Sequence, residues 1–502
     1  MTTGAIGALA ERALKWSAVT TIARFALQFV AQVALARMLG PGNFGVYGIG
    51  MAVLTFVGFL SGASFSYSLM LLPKVSDEDI RFSFTWQMVA GIVSACLMFA
   101  CAPLIAHFFG DDRVEGMVQL LSLASVLMAA AAPATYLLQR DLNFRKLGLV
   151  QLASYASGYL CVGVPMAIAG FGAYALGTAC VVQAAVALVA TYRSRPHSLR
   201  PLFRHAEGGE ALTTGRAVFF TNVVNWLLGN LDRVIIGRVL NAQAVGLFTV
   251  AYNLASIPNV LLVGAMQPAF VATGAKLQES RERLAQGWLL AIACILVLAM
   301  PAAVVMAMLS ADLVQFLYGN AWSETAWVLA VMFLCLPAWA CFGLSTPVLW
   351  NTGRKQYEFL LQLPLLAIIV PAWWLVAPAG VRGVAIVSCA AIVIRAVVIV
   401  TASLRALDLH WRTLAPYAAR GVALSALSAC ATLAGQEATA AVGSPLVALI
   451  AGGSFAAMAM LAVLLFKPDA LGNEARMALS RVLPVIGARL APRVEPVQEP
   501  VL

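Results

Sequence analysis

The stretch 230–240 reads NLDRVIIGRVL and places an acid beside a base in an otherwise apolar region. The chain of 502 residues is 62% hydrophobic and only 11% charged, whereas about a quarter of the residues in a soluble chain are charged. Apolar runs of about 18 or more residues, long enough to cross a bilayer, recur from end to end. Only helices and closed barrels satisfy every backbone group in lipid. The composition therefore predicts an all-α polytopic membrane protein.

Hydropathy divides the chain into fourteen predicted transmembrane helices. Their limits are 16–38, 44–68, 82–106, 117–138, 148–169, 171–192, 216–239, 246–270, 287–309, 325–349, 359–377, 380–404, 415–435 and 444–466. With the N-terminus inside, the cytoplasmic segments hold 24 of the 32 lysines and arginines, and the external loops hold only Arg113 and Arg382. This asymmetry follows the positive-inside rule. It predicts that both termini are cytoplasmic, and it accounts for the net charge of +10 without a nucleic-acid partner.

Several function classes lack the residues that they need. All nine cysteines fall within predicted spans, so no disulfide framework is expected. The four histidines have no ligand spacing, and no phosphate-binding Walker A sequence is present. We therefore expect no metal, no cofactor and no catalytic residues.

Three pairs of segments align between the two halves of the chain. They are RMLGPGNFGVY (37–47) with RVLNAQAVGLF (238–248) at an offset of 201, NFRK (143–146) with TGRK (352–355) at 209, and AGFGAYAL (169–176) with AGVRGVAI (379–386) at 210. They keep their order and nearly constant spacing, and six spans separate equivalent positions. This predicts a parallel repeat, in which substrate binds between the two lobes.

The repeat gives a predicted domain organisation. Two pseudo-symmetric six-helix lobes occupy 1–205 and 206–410, two further helices lie within 411–470, and a disordered cytoplasmic tail covers 471–502.

Polar side chains inside the predicted spans are the candidate site. The candidate cavity residues are Arg24, Gln28, Gln32, Asn225, Asp232, Arg233 and Arg395. A charge at the bilayer centre costs about 2.5–3.5 kcal/mol, so these arginines are expected to face protein or water. Three bases against one acid suit an anionic substrate, while the glutamines, with Tyr155 and Tyr159, suit sugar hydroxyls. Gln151 of the fifth span belongs to the same polar set.

Two structural interpretations stay open beside this one. Asp232 could pair with an arginine and hold its lobe together, and the polar stripe of the first span could join helices by hydrogen bonds. Within the NLDRV stretch, Arg233 aligns with Gln32 and is expected to face the cavity. Asp232 is then expected to lie sideways, near Asn225 and Gly229.

Two segments carry a resemblance to a known family. LARMLGPGNFGVYGIG (35–50) and NLDRVIIGRVLNAQAVGLFTVAYNLA (230–255) resemble the polysaccharide transporter, or Wzx-type oligosaccharide flippase, family of the multidrug/oligosaccharidyl-lipid/polysaccharide exporter superfamily. RDLNFRKL (140–147) and NTGRKQY (351–357) resemble its loops. The resemblance implies a flippase that moves polyprenyl-diphosphate-linked oligosaccharide units across the bacterial inner membrane by alternating access. It also implies coupling to protons or Na+ and contact with membrane lipids and other polysaccharide assembly proteins.

Other functions remain as alternatives. A peptidoglycan lipid-precursor flippase also has fourteen spans and a basic cavity. A multidrug or cation antiporter of the same superfamily would have an acidic cavity, which the three arginines disfavour. A membrane enzyme of polysaccharide assembly would present a long external loop with catalytic groups, and the external loops here are short.

Overall fold

A computed structural model describes residues 3–60, 66, 69, 75–205, 208–276 and 281–482. Over these residues the chain is helical and contains no strand, which confirms the all-α prediction. Internal contacts divide the chain into two compact units, Met1–Thr249 and Val250–Leu502. The lobe boundary at 205/206 stays a prediction.

The helices are numbered in chain order. The first eight are α1 (Thr3–Leu60), α2 (Asp77–Phe109), α3 (Arg113–Arg140), α4 (Phe144–Tyr155), α5 (Val164–Ile168), α6 (Ala173–Ser194), α7 (Gly208–Val239) and α8 (Ala242–Lys276). The others are α9 (Arg281–Cys294), α10 (Met300–Met308), α11 (Ser310–Tyr318), α12 (Ser323–Leu334), α13 (Leu336–Asn351), α14 (Lys355–Val376), α15 (Val381–Ala406), α16 (Ala415–Thr439), α17 (Pro445–Phe466) and α18 (Asn473–Val482). Two π-helices, Ala156–Gly163 and Ile295–Ala299, join α4 to α5 and α9 to α10.

Among the described residues, eleven helical segments are long and apolar enough to cross a membrane. A bent pair, Asn320–Leu334 with Leu336–Asn351, brings the number to twelve if it forms one span. The polytopic class is confirmed, whereas the count of fourteen is not reproduced helix by helix. One reason is Val19–Gly58, which has 40 residues and covers two predicted spans. At 1.5 Å per residue it is about 60 Å long, twice the thickness of the hydrocarbon core.

The long first helix contains a break at Gly40. This glycine has φ 72° and ψ 171°, outside helical geometry, and Pro41 follows it. Glycine adopts a positive φ without steric cost, and proline is favoured at the first position of a new helix. The aligned position in the second half is Asn241, whose side-chain Oδ1 accepts the Ala244 N–H at 2.9 Å and caps α8. Different residues thus interrupt the helix at the same point of the repeat.

Two glycines that align in the repeat form a close helix crossing inside the first unit. A Cβ on Gly45 would lie 1.6 Å from the carbonyl oxygen of Ala242, and a Cβ on Gly246 would lie 2.0 Å from that of Pro41. The offset of 201 carries Gly45 to Gly246 and Pro41 to Ala242, so each of the two contacts reproduces the other with the halves exchanged. Small residues permit such close backbone approach between membrane helices. Residues that the alignment places at equivalent positions therefore lie at equivalent places in this crossing.

Two expectations from the sequence are wrong in part. Cys335 and Cys389 form a disulfide, although their separation of 54 residues gave no local signal. Helix packing brings their Cα atoms to 5.9 Å, within the range that a disulfide spans. The tail was expected to be disordered from residue 471, yet Asn473–Val482 is helical. Arg476 of this helix is buried and pairs with Asp469. Residues 483–502 lie outside the described residues.

Candidate functional site

The first group of predicted site residues lies where α1 meets α4. A Cβ on Gly148 would lie 2.3 Å from the hydroxyl oxygen of Thr20, so the two helices are in close contact there. One turn further along each helix, Arg24 Nη1 donates a hydrogen bond of 2.8 Å to Gln151 Oε1. The missing side chain of Gly148 therefore lets the helices approach until Arg24 reaches Gln151.

Gln151 holds the Arg24 guanidinium without cancelling its charge. The Nε of Arg24 is buried and has no acceptor among the described residues. A buried donor without a partner costs about 1–3 kcal/mol, so an anionic ligand that bonded this atom would recover that cost. Gln28 and Gln32 follow at four-residue intervals on α1 and are half-buried. The predicted stripe is thus present on one helix.

A line of polar groups continues from Gln151 along the fifth predicted span. Tyr155 and Tyr159 follow it at four-residue intervals, and their rings stack with centroids 4.5 Å apart. The Tyr159 hydroxyl lies 2.6 Å from that of Tyr47 on α1. The π-helix that begins at Ala156 carries Tyr159, and such π segments are frequent at functional sites. The sequence singled out Tyr155 and Tyr159 but did not indicate the contact of Tyr159 with Tyr47.

The NLDRV stretch lies on α7 in the first unit. Arg233 Nη1 donates to the Gly229 carbonyl at 3.0 Å and to Asn230 Oδ1 at 2.9 Å. Asp232 is buried, and its Oδ1 accepts the backbone N–H of Arg233 at 2.8 Å. Gly229, which the sequence places near Asp232, thus accepts a hydrogen bond from Arg233. Asn225 is exposed on the same helix.

The second unit contains an analogous arginine–glutamine pair. Arg395 Nη2 donates to Gln362 Oε1 at 2.7 Å, and its guanidinium lies 4.7 Å from the ring centroid of Phe342. The Gln362 amide nitrogen donates to the Glu358 carbonyl at 2.9 Å, which turns the side-chain oxygen toward Arg395. As in Arg24, the Nε of Arg395 is buried without an acceptor among the described residues.

A carboxylate lies near this pair, just before the apolar segment that begins at Leu360. Burial raises the pKa of Glu358, while a hydrogen bond from Trp350 and the charge of Arg395 act in the opposite direction. The Trp350 ring nitrogen donates to the Glu358 carboxylate at 2.8 Å. A carboxyl that is partly desolvated beside an arginine can exchange a proton as its surroundings change.

The two glutamines occupy nearly equivalent positions of the repeat. The offsets of 209 and 210 carry Gln151 to positions 360 and 361, next to Gln362. Gln151 stands out in the sequence as a polar residue within a span, whereas Gln362 and Glu358 do not, although the repeat offset leads from Gln151 almost to Gln362. Arg24, Gln28, Gln32, Asn225, Asp232 and Arg233 all belong to the first unit and Arg395 to the second. Within the described residues, no group of three or more His, Cys, Asp or Glu could hold a metal ion.

A family model described as polysaccharide biosynthesis protein matches residues 34–327, more than half of the chain. The chain belongs to this family. Lipopolysaccharide biosynthesis protein WzxC of Escherichia coli (strain K12) is 24% identical over 63% of this chain and 65% of its own length. Succinoglycan biosynthesis transport protein ExoT of Rhizobium meliloti (strain 1021) is 25% identical over 69% of this chain and 70% of its own length. The resemblance that the sequence motifs indicated is confirmed, and the match to WzxC spans less than two thirds of that relative.

Solved structures share the fold. The lipid II flippase MurJ in an inward closed conformation superposes with a TM-score of 0.71 at 12% identity, covering 90% of this chain and 98% of that chain. An inward-facing multidrug transporter of the MATE family and MOP superfamily gives a TM-score of 0.64 at 14% identity, covering 76% of this chain and 94% of that chain. At such low identity the likeness shows the fold alone, and the cargo has to be argued from the site and the relatives.

Proposed function

We propose that this protein is a flippase for polyprenyl-diphosphate-linked oligosaccharide repeat units. It moves them across the bacterial inner membrane for exopolysaccharide, O-antigen or capsule synthesis, and it changes no covalent bond of the cargo. Family membership supports this function, as do relatives named for lipopolysaccharide and succinoglycan biosynthesis, one of them as a transport protein. Other polysaccharide assembly proteins would supply and use the repeat unit.

The arginine–glutamine pair in each unit is the observation that carries the proposal. Arg24 and Arg395 lie in apolar helices, each bonded to a neutral glutamine and each with a buried Nε that lacks an acceptor among the described residues. A guanidinium presents donors in a planar fork that matches phosphate, and bonds between charged groups are about twice as strong as neutral ones. A diphosphate supplies the acceptors that these donors lack.

The polar line along the fifth predicted span supports recognition of the glycan. Gln151, Tyr155 and Tyr159 present amide and hydroxyl groups, which both donate and accept hydrogen bonds. We propose that transport proceeds by alternating access and is coupled to protons or Na+, with Asp232 and Glu358 as candidate coupling carboxylates.

The proposed membrane topology has fourteen spans with both termini in the cytoplasm. The break at Gly40 divides Val19–Gly58 into two spans, and the bent pair Asn320–Asn351 forms one more. Helix α7, which has 32 residues, supplies the fourteenth. The 24-to-2 division of basic residues supports the orientation.

The fold shared with MurJ keeps a peptidoglycan lipid-precursor flippase as the second candidate. Deleting the gene and extracting polyprenyl-linked intermediates separates the two. We expect a diphosphate-linked repeat unit to accumulate and the surface or secreted polysaccharide to disappear, with recovery on wild-type expression. Accumulation of peptidoglycan precursors, or drug sensitivity with normal polysaccharide, would contradict the proposal.

A further inference from the structure

A groove on the second unit lies between the ends of three helices, and its wall on α15 runs from Val397 to Arg405. Its volume is about 460 Å³, and its walls include Leu361, Val397 and Ala402. Two arginines, Arg354 and Arg405, also line it. The groove therefore combines an apolar wall with two cations.

The position of the groove on α15 indicates that it opens toward lipid. Ile386, Ile394 and Val397 are exposed and recur on one side of the helix together with Arg405. On the surface of a membrane-spanning helix, an exposed apolar stripe contacts acyl chains. Since successive residues are about 100° apart, Arg395 lies about 160° around the helix from Val397 and about 80° from Arg405. Neither Arg395 nor Gln362 is among the described residues that line the groove.

Arg405 also lines a second cavity of about 420 Å³ together with His410 and Trp411. The one acidic residue among the described residues that line this second cavity, Asp408, forms an ion pair of 2.5 Å with Arg281. Arg281 also donates to the Ala406 carbonyl at 2.7 Å. Asp408 is therefore paired with Arg281 rather than with Arg405.

Neither groove arginine forms an ion pair with a carboxylate in the described part of the chain. Tyr357 lines the groove, Trp411 lines the second cavity, and both are about half exposed. The Trp411 ring nitrogen donates to the Thr401 hydroxyl at 3.2 Å. Tyrosine and tryptophan concentrate at the depth of lipid headgroups. The charge bias of the sequence predicts that this end of α15 is cytoplasmic, where anionic lipids attract basic residues.

From this geometry we propose that the groove binds an anionic phospholipid of the bilayer itself. Arg354 and Arg405 hold the phosphate, and one acyl chain lies against Leu361 and Val397. Basic sites between transmembrane helices bind anionic headgroups in this way. The site is independent of the proposed transport function, since the occupant approaches from the lipid side and is not carried across.

The test uses the full chain in detergent, titrated with phosphatidylglycerol and with phosphatidylcholine and observed by native mass spectrometry. Phosphatidylglycerol is expected to bind more tightly, and Arg354→Gln and Arg405→Gln should each weaken it about fivefold, or about thirtyfold together. Arg382→Gln removes the same charge at the other end of α15 and should leave binding unchanged. Val397→Trp, at an exposed position, should weaken binding by filling the groove without altering charge.

Other outcomes would overturn the proposal. These are equal binding of the two lipids, the same affinity in the double variant as in wild type, and displacement of the lipid by millimolar inorganic phosphate. If the binding of undecaprenyl diphosphate depended on Arg354 and Arg405 while the binding of phosphatidylglycerol did not, the groove would instead be assigned to the cargo. Loss of repeat-unit transport is measured separately and does not enter this test.

Discussion

The close crossing of Gly45 with Gly246 makes a quantitative prediction about stability. A methyl group on Gly45 would meet the Ala242 carbonyl oxygen at 1.6 Å, so the helices have to separate by more than an ångström to accommodate Gly45→Ala. Overpacking costs about 1–3 kcal/mol, and the upper end applies because the clashing atom belongs to the backbone. Replacing a helical glycine by alanine returns about 1 kcal/mol. The net loss is therefore about 2 kcal/mol.

Gly42→Ala is the matched control, because no atom lies within 4 Å of its would-be Cβ. This variant should gain up to about 1 kcal/mol. The free energy of unfolding is measured by denaturant titration in detergent, with helix content followed by circular dichroism. The double variant Gly45→Ala/Gly246→Ala should lose less than the sum of the single losses, since one separation relieves both clashes. Equal stability of Gly45→Ala and Gly42→Ala would refute the reasoning.

Three further predictions concern topology, charge and the break in α1. Reporter fusions after Phe466 and within 310–324 should report opposite sides of the membrane; the same side would contradict fourteen spans. Arg233→Lys should keep part of the glycan export, because the positive charge remains while the planar guanidinium group is lost. Asp232→Asn should insert into the membrane normally yet impair glycan export, with membrane abundance and export measured together for both variants. Full export by Asp232→Asn would exclude a coupling role. Gly40→Ala should lose about 1–3 kcal/mol of unfolding free energy, because its φ of 72° and ψ of 171° lie in a region open essentially to glycine alone; an unchanged free energy would contradict that strain.

The sequence predicted the all-helical membrane class because hydropathy and charge placement are properties of local segments. It also predicts the repeat, and at the crossing of Gly45 with Gly246 the aligned residues make reciprocal contacts. Arg24 could be singled out because a charge inside an apolar span is rare. These features depend on periodicity and composition, which the sequence contains directly.

Contacts between segments that are distant in the sequence could not be predicted from composition or periodicity. Gln362 is one neutral residue in an apolar helix, and only its bond to Arg395 distinguishes it. The Cys335–Cys389 disulfide depends on how helices pack. The helix at Asn473–Val482 was missed because its sequence is polar, and buried contacts such as that of Arg476 stabilise it.

The central claim is that intramembrane arginines bind the diphosphate of the transported lipid. Its most direct test is the flipping rate of a polyprenyl-diphosphate-linked oligosaccharide in vesicles that contain the purified protein. Arg24→Gln and Arg395→Gln should each slow flipping by about tenfold or more, because a charge-assisted bond to phosphate is lost, while Arg382→Gln should match wild type. Flipping at the wild-type rate by both the Arg24 and the Arg395 variants would contradict the account.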